Sequence, residues 1–224
     1  DLGKFQSTKN GKTLAYRIQT ITPELIDDVL ELMVTHFLPR EPMSSYLGIH
    51  KNDDALNFVK QTWRKTMESG ISLVALEDTD DASVNIVGAN MTMIAERKEN
   101  QMEGMGGKEF DKIIAIMKDV SHKANIFEKY NIDRYLSAYG LTVHPNYHGY
   151  QIGYRLLESR RQLCEILGLS ATGTTFTAPI SQHLARKAGF ETLAETEYKS
   201  FKFNDQLVFP NLEGDIKFMA LKYK

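Results

Sequence analysis

One stretch of the chain has residue types and spacing suited to holding an anion: Leu141-Thr142-Val143-His144-Pro145-Asn146-Tyr147-His148-Gly149-Tyr150-Gln151-Ile152-Gly153-Tyr154-Arg155-Leu156-Leu157. An apolar, β-branched run meets Pro145, a turn containing Gly149 follows, and apolar residues at helical spacing begin at Ile152. Such a turn leaves backbone N–H groups without partners at the positive end of a helix dipole, where they hold phosphate without a charged side chain. Glycine lets the backbone approach the anion closely. An ordinary strand–turn–helix connection has the same outline, and spacing alone does not separate the two. Other reactive side chains are few. The chain has six histidines and one cysteine, Cys164, with no CxxC and no HExxH, so neither an internal disulfide nor a zinc framework is expected. Histidine titrates in the useful range, but packed or surface histidines are the readier account of His36 and His144.

These residues need elements to position them. Leu14–Ile18 alternates and reads as a strand. Thr22-Pro23-Glu24 opens a helix, with a capping hydroxyl, proline in first position and an acid in the first turn. Its apolar face runs through Leu25, Ile26, Val29, Leu30, Met33 and Phe37, and it stops before Arg40-Glu41-Pro42, because Pro42 turns Glu41 away from the helical region. A second helix, capped by Asn52 or Asp53, carries Leu56, Val59, Trp63 and Met67 and ends at Gly70. Ile71–Glu77 and Val84–Ala95 read as a hairpin about a turn at 78–83. Residues 98–107 read as a polar loop, with a helix after it marked by Phe110, Ile113, Ile114, Ile116 and Met117. Tyr135–Val143 is the strand entering the anion-binding turn. The helix beyond has Leu156, Leu157, Leu163, Cys164 and Leu167 on its apolar face and Gly168 past its end. Ser170–Thr177 is a strand, Pro179–Gly189 a short helix, and Tyr198–Phe203 and Ile216–Tyr223 are closing strands. No Pro-, Gly- or Ser-rich linker divides the chain. The order predicts one α/β domain over residues 1–224 with a mixed sheet.

Composition narrows the partners. The 224 residues carry 27 basic and 29 acidic side chains, a net charge of -2 without blocks of one sign. Nucleic-acid binders usually show a basic face or tail, so none is expected as a partner. No apolar run approaches the ~20 residues of a membrane span. Asp1–Gly11 is polar and unlike a signal peptide, and a lone cysteine suits a reducing compartment. The expectation is a cytoplasmic protein, with no membrane partner.

The stretch 141–157 resembles the acetyl-CoA motif of the GCN5-related N-acetyltransferase (GNAT) superfamily, and more narrowly that of the insect arylalkylamine N-acetyltransferases. There a Leu-Ser/Thr-Val strand end is followed by Pro, an aromatic residue and an Arg/Gln-x-x-Gly-x-Gly/Ala loop. Phe37-Leu38-Pro39-Arg40-Glu41-Pro42-Met43 resembles the early Glu-Pro signature of the insect branch. Ser181-Gln182-His183-Leu184-Ala185-Arg186-Lys187-Ala188-Gly189-Phe190-Glu191 resembles its second cofactor motif, and the final strand with Met219 its C-terminus. This sequence departs from the pattern at His148, in place of Arg or Gln, and at Gln151, in place of the first motif glycine. Gln151 is costly if that position needs a positive φ and acceptable if it is helical. Where many relatives carry Pro-His near the C-terminus, this chain has Glu213-Gly214-Asp215.

The resemblance implies a GNAT fold, with a mixed central sheet of about seven strands flanked by helices. It implies acetyl-CoA as cosubstrate without a metal, a small amine as second substrate, a monomer, and direct sequential acyl transfer. For cofactor contacts it points to Leu141, Thr142, Val143, His148, Gly149, Tyr150, Gln151, Ile152, Gly153, Tyr154 and Ser181. The backbone of Leu141 and Val143 would pair with the pantetheine arm like an added strand, with an N–H near Val143 as oxyanion donor. Glu41 is implied as general base, acting on the amine through ordered water, and its charge would attract a cationic amine. A solvated glutamate at a helix end is the plain alternative. Ser181 is implied near the thiol, against a first-turn serine that only satisfies the helix start. His183 is an alternative acid, though a surface histidine is the readier reading. Tyr46, Trp63, Tyr147 and Tyr154 are candidates for an amine pocket. Cys164, on an apolar helix face, is not expected to carry an acyl group. Polyamines or agmatine as acceptors, and a noncatalytic acyl-CoA-binding module, are the rival readings.

Overall fold

The computed structural model describes residues 1–79, 84–97 and 107–223. Asn10 and Gly11 both have positive φ (51° and 75°), as a two-residue hairpin loop requires. They join strands β1 (Gly3–Lys9) and β2 (Lys12–Thr20) in register from Lys9 opposite Lys12 to Gly3 opposite Ile18. A short 3-10 turn at Pro23–Leu25 leads into α1 (Ile26–His36). Thr22 makes no side-chain cap here, and Pro23 alone sets the start. After α1 come α2 (Pro42–Tyr46) and α3 (Asp53–Glu68). Asn52 caps α3, accepting from the Ala55 N–H at 3.0 Å.

Strands β3 (Leu73–Glu77) and β4 (Ile86–Glu96) pair antiparallel. The predicted turn at 78–83 and the loop at 98–107 fall largely outside the described residues. Arg97 follows directly on β4. It donates to Asp133, Glu128 and the carbonyls of Phe127 and Ile132, tying the start of the next strand to β4. Helices α4 (Gly107–Ala124) and α5 (Ile126–Tyr130) precede β5 (Arg134–Val143). Then follow α6 (Ile152–Glu158), α7 (Arg160–Leu167), β6 (Ala171–Phe176), α8 (Pro179–Lys187) and β7 (Glu191–Glu197). The small hairpin β8 (Lys202–Phe203) and β9 (Gln206–Leu207) leads to β10 (Asp215–Lys222). Of the strand predicted at Tyr198–Phe203 only Lys202–Phe203 is extended, as β8, and the strand of the large sheet lies earlier, at β7. Tyr198–Ser200 is a 3-10 turn whose tyrosine is a buried plug.

The large sheet has eight strands in the order β1-β2-β3-β4-β5-β6-β10-β7, against an expectation of about seven. The additional one is β1, an edge strand. Only the β5–β6 pair is parallel, and it is registered at the single pair Leu136 and Thr172. One sheet face is covered by α1, α3 and α4, where Val29, Met33, Trp63, Met67, Ile116 and Val120 pack with Met91 and Phe218. On the other face Ile152, Leu156, Leu163 and Cys164 pack on Tyr16, Ile18, Ala75, Val87 and Leu136. Helix α8 seals the far end of that face through Ala185, with Phe190 and Met219 in the same cluster. Burying each such side chain stabilises the fold by ~1.5–3 kcal/mol. Among the described residues no helix is long and apolar enough to cross a membrane.

Candidate active site

The site is built on the divergence of β5 from β6. Near their contact, β6 threonines fill the seam: Thr172 Oγ1 donates to Leu136 O (2.8 Å) and Thr174 Oγ1 to Ala138 O (2.7 Å). A register shift in the β4–β5 pairing follows, and Asn90 Nδ2 donates to Gly140 O (2.8 Å). Beyond it the His144 N–H returns to Val87 O (2.9 Å). Antiparallel alternation then points the backbone of Thr142 at β4 and that of Leu141 and Val143 at the open edge. Thr142 therefore spends its backbone on the sheet, opposite Ala89. His148 closes part of that edge, its Nε2–H donating to Val143 O at 3.0 Å.

The turn that follows is held from below by the N-terminal hairpin. Lys9 Nζ donates to His148 O (2.6 Å), and Tyr16 OH to Tyr150 O (3.3 Å). Gly149 has φ 92°, a left-handed backbone that favours glycine, and the flexible Lys9 side chain passes 2.9 Å from where a Cβ would stand. Gln151 is the N-cap of α6 with φ 62° and ψ 10°, a left-handed conformation, and it makes no side-chain cap. This is the costly alternative of the two posed by its sequence position. Arg155 N–H donates to Gln151 O at 2.9 Å. The preceding N–H groups of Ile152, Gly153 and Tyr154 are first-turn donors, which a helix leaves without internal acceptors. Gly153 also lets α6 approach α8, since a Cβ would meet Leu184 at 3.3 Å. Tyr154 faces the flank of this region, with Lys187 Nζ 4.5 Å from its ring centre.

Below the open edge lies a cavity of about 150 Å³. It brings together Glu41, Leu141 and Ser181, residues far apart in sequence. Glu41 is 8 % exposed and caps α2, accepting from Met43 N–H (3.2 Å) and Ser44 N–H (2.7 Å). It is thus not a solvated surface acid. A carboxylate offers about four lone-pair positions, so the cap leaves acceptor capacity for a ligand or water. Behind the cavity wall, burial pushes the Tyr198 phenol well above its ordinary value, with the charges of Glu41 and Asp215 adding to the effect. Its hydroxyl donates to Thr177 O at 2.6 Å. Ser181 Oγ donates to Ala178 O (2.8 Å) and accepts from the Ala178 N–H (3.3 Å). The serine satisfies the helix start and lines the cavity at once.

Of the aromatic candidates, only Trp63 lines the cavity. Tyr46 packs edge-on against Phe209, and Tyr147 OH donates to Glu77 (3.0 Å). The aromatic wall is instead Phe37, Trp63, Phe110, Tyr139 and Phe176. His36 and His144 meet edge to face at 4.7 Å but do not line the cavity. Burial lowers the His36 pKa below its ordinary value, and the neighbouring charges of His144 and Arg40 lower it further. His183 is exposed. Cys164 is fully buried, its thiol pushed up to about 12 by burial, so it is no nucleophile. Arg160, which sequence reasoning passed over, also lines the cavity. Charged helix residues are ordinarily solvated, and nothing in the local sequence marks this one as buried. Among the described residues no cluster of three or more His, Cys, Asp or Glu could hold a metal.

A mixed sheet split at one parallel pair, with a donor-rich turn at the mouth of the split, defines a GNAT-type acyltransferase fold. Solved structures agree. The chain is 31 % identical to a protein assigned as arylalkylamine N-acetyltransferase 7 of the yellow fever mosquito Aedes aegypti, with TM-score 0.92 over 99 % of this chain and 94 % of that one. It therefore belongs to the insect arylalkylamine N-acetyltransferase family of the GNAT superfamily. Two more distant structures share the fold. Arylalkylamine N-acetyltransferase 2 of Aedes aegypti is 20 % identical, with TM-score 0.79 over 93 % and 99 % of the two chains. Drosophila melanogaster polyamine N-acetyltransferase, which forms N-acetylagmatine, is 17 % identical, with TM-score 0.75 over 92 % and 99 %. No protein-family model and no curated protein sequence matches the chain.

Proposed function

We propose that residues 1–224 form one N-acetyltransferase domain that moves the acetyl group of acetyl-CoA onto small arylalkylamines of the dopamine, serotonin or tyramine type. The observation that carries this reading is the continuity of slot and cavity. Leu141 presents its backbone to the open edge of β5 and also lines the cavity that holds Glu41. The cofactor's phosphates fit the first-turn N–H groups of α6, and its pantetheine arm fits the edge at Leu141 and Val143. His148 must then release Val143 O.

The amine nitrogen, freed of a proton by Glu41 acting through water, attacks the thioester carbon. The Val143 N–H faces the developing oxyanion. The C–S bond breaks as the amide C–N bond forms, and the departing thiolate takes a proton. Ser181 is the hydroxyl assigned to that step, after its proton turns from Ala178 O. Among the described lining residues Glu41 is the one carboxylate, set against five aromatic rings. That favours an aryl amine carrying one cation over a polyamine carrying several.

The test is thiol release from acetyl-CoA against dopamine, serotonin, tyramine, histamine, spermidine and agmatine. The reading predicts that aromatic amines lead in kcat/KM. Leading rates with spermidine or agmatine would move the assignment to non-aromatic amines. Binding of CoA without thiol release on any amine would make the chain an acyl-CoA-binding module.

A further inference from the structure

Arg160 heads the fully buried large side chains of the described residues, at 1 % exposure. The charged residues lining the cavity are this arginine and Glu41. Its Nε donates to Asn90 Oδ1 (2.9 Å), and its Nη1 reaches Thr172 Oγ1 (3.4 Å). Both acceptors are neutral, and Thr172 Oγ1, which donates its own proton to Leu136 O, lies at the long end of hydrogen-bond range from the guanidinium. Among the described residues no carboxylate lies within ion-pair distance of Arg160, while the Glu41 oxygens are turned to the N-terminus of α2. A guanidinium has five N–H donors, so most of its donor capacity is unused. Burial lowers its pKa to about 10, which leaves it cationic at neutral pH.

A buried charge without a counter-ion is unfavourable, and a protein tolerates it most readily where a ligand supplies the ion. Cross-linking β4 to β6 explains only the two neutral bonds. It does not explain a full positive charge on the wall of a cavity whose other charged lining residue, Glu41, is turned to the N-terminus of α2. We propose that Arg160 is a carboxylate anchor, and that the cavity takes a substrate bringing a carboxylate to this guanidinium. The acid arrives either at the far end of a dicarboxylic acyl thioester or on an amino-acid acceptor. This rests on the acyl-transfer reading and narrows its substrate class.

Two kinetic comparisons separate the sources. Thiol release is measured for succinyl-CoA against butyryl-CoA with tyramine, and for tyrosine against tyramine with acetyl-CoA. A charge-assisted bond predicts that the carboxylated member leads by about tenfold or more in kcat/KM in one comparison. The first identifies the acyl donor as its source, the second the acceptor. Arg160→Met abolishes that lead, and Arg160→Lys retains part of it. Members equal in both comparisons, or a lead that survives Arg160→Met, overturns the proposal. Should Arg160→Met fail to fold, the wild-type ratios and the lysine variant decide. If no pair releases thiol, acyl transfer itself has failed, and the anchor is read by melting in millimolar succinate or tyrosine. Stabilisation of the wild type beyond that of Arg160→Lys then supports it, and equal shifts overturn it.

Discussion

Replacing Gln151 by glycine is expected to stabilise the protein. Gln151 sits at φ 62° and ψ 10°, where a Cβ crowds the following carbonyl. That conformation costs roughly 1–2 kcal/mol in a non-glycine residue. Its side chain is exposed and caps nothing, so little contact energy is lost with it. Glycine returns roughly 0.4–1 kcal/mol through the freer unfolded chain. The net gain is about 0.5–1 kcal/mol, which corresponds to ~2–4 °C in Tm per kcal/mol for a domain of this size. Gln151→Ala is the control, because alanine keeps the Cβ and with it the strain. Differential scanning calorimetry should show Gln151→Gly melting higher by about 1–4 °C and Gln151→Ala near the wild type. Equal shifts for the two variants would refute the argument from strain. Calorimetric titration with CoA adds a second readout. If the loop binds phosphate through backbone N–H groups, both variants keep their affinity; a loss common to both would assign the Gln151 side chain to the phosphate.

Three further outcomes follow from the same geometry. Ser181→Ala should lose ~1 kcal/mol of helix-start stabilisation and lower kcat with little change in KM for acetyl-CoA; destabilisation at unchanged kcat would leave Ser181 a structural residue only. Cys164 should resist alkylation by iodoacetamide at pH 8 until the protein unfolds, and mass spectrometry of the native protein finding it modified would contradict its burial. His36 has a folded pKa below its ordinary 6.5, so the unfolded chain takes up the proton first as pH falls and stability is lost below that value. Melting at pH 5.5 and 7.5 should therefore show a smaller pH-dependent loss for His36→Gln than for the wild type, and parallel curves would remove His36 from the account.

The sequence made the helices and central strands legible because their apolar spacing follows burial closely. The Met33 and Trp63 helices and the strand into His144 lie where periodicity puts them. Edge strands were the weak point. Strand β1 alternates only faintly, with Lys4, Gln6, Thr8 and Lys9 exposed, and the Asn10-Gly11 turn was the signal that could have found it. Strand β7 is half exposed, so the aromatic Tyr198 beside it drew the assignment instead. Glu41 and Ser181 were reachable through resemblance, but not their double duty as caps and cavity walls, which depends on contacts across the fold. The stripe Phe110, Ile113, Ile114 and Met117 reads as core in any sequence, and only the divergence of β5 from β6 makes it a wall. Arg160 had no sequence signal, since its burial is imposed by Asn90 and Thr172, remote in the chain.

The central claim is that Glu41 draws the proton from an amine bound beside a thioester in the slot. It is tested by the pH dependence of thiol release from acetyl-CoA with tyramine, for the wild type and Glu41→Ala, alongside the acetyl-CoA Kd of each. The account predicts a fall in kcat/KM of about 10²–10⁴ for Glu41→Ala with the acetyl-CoA Kd nearly intact. A rate unchanged across the pH range would contradict it.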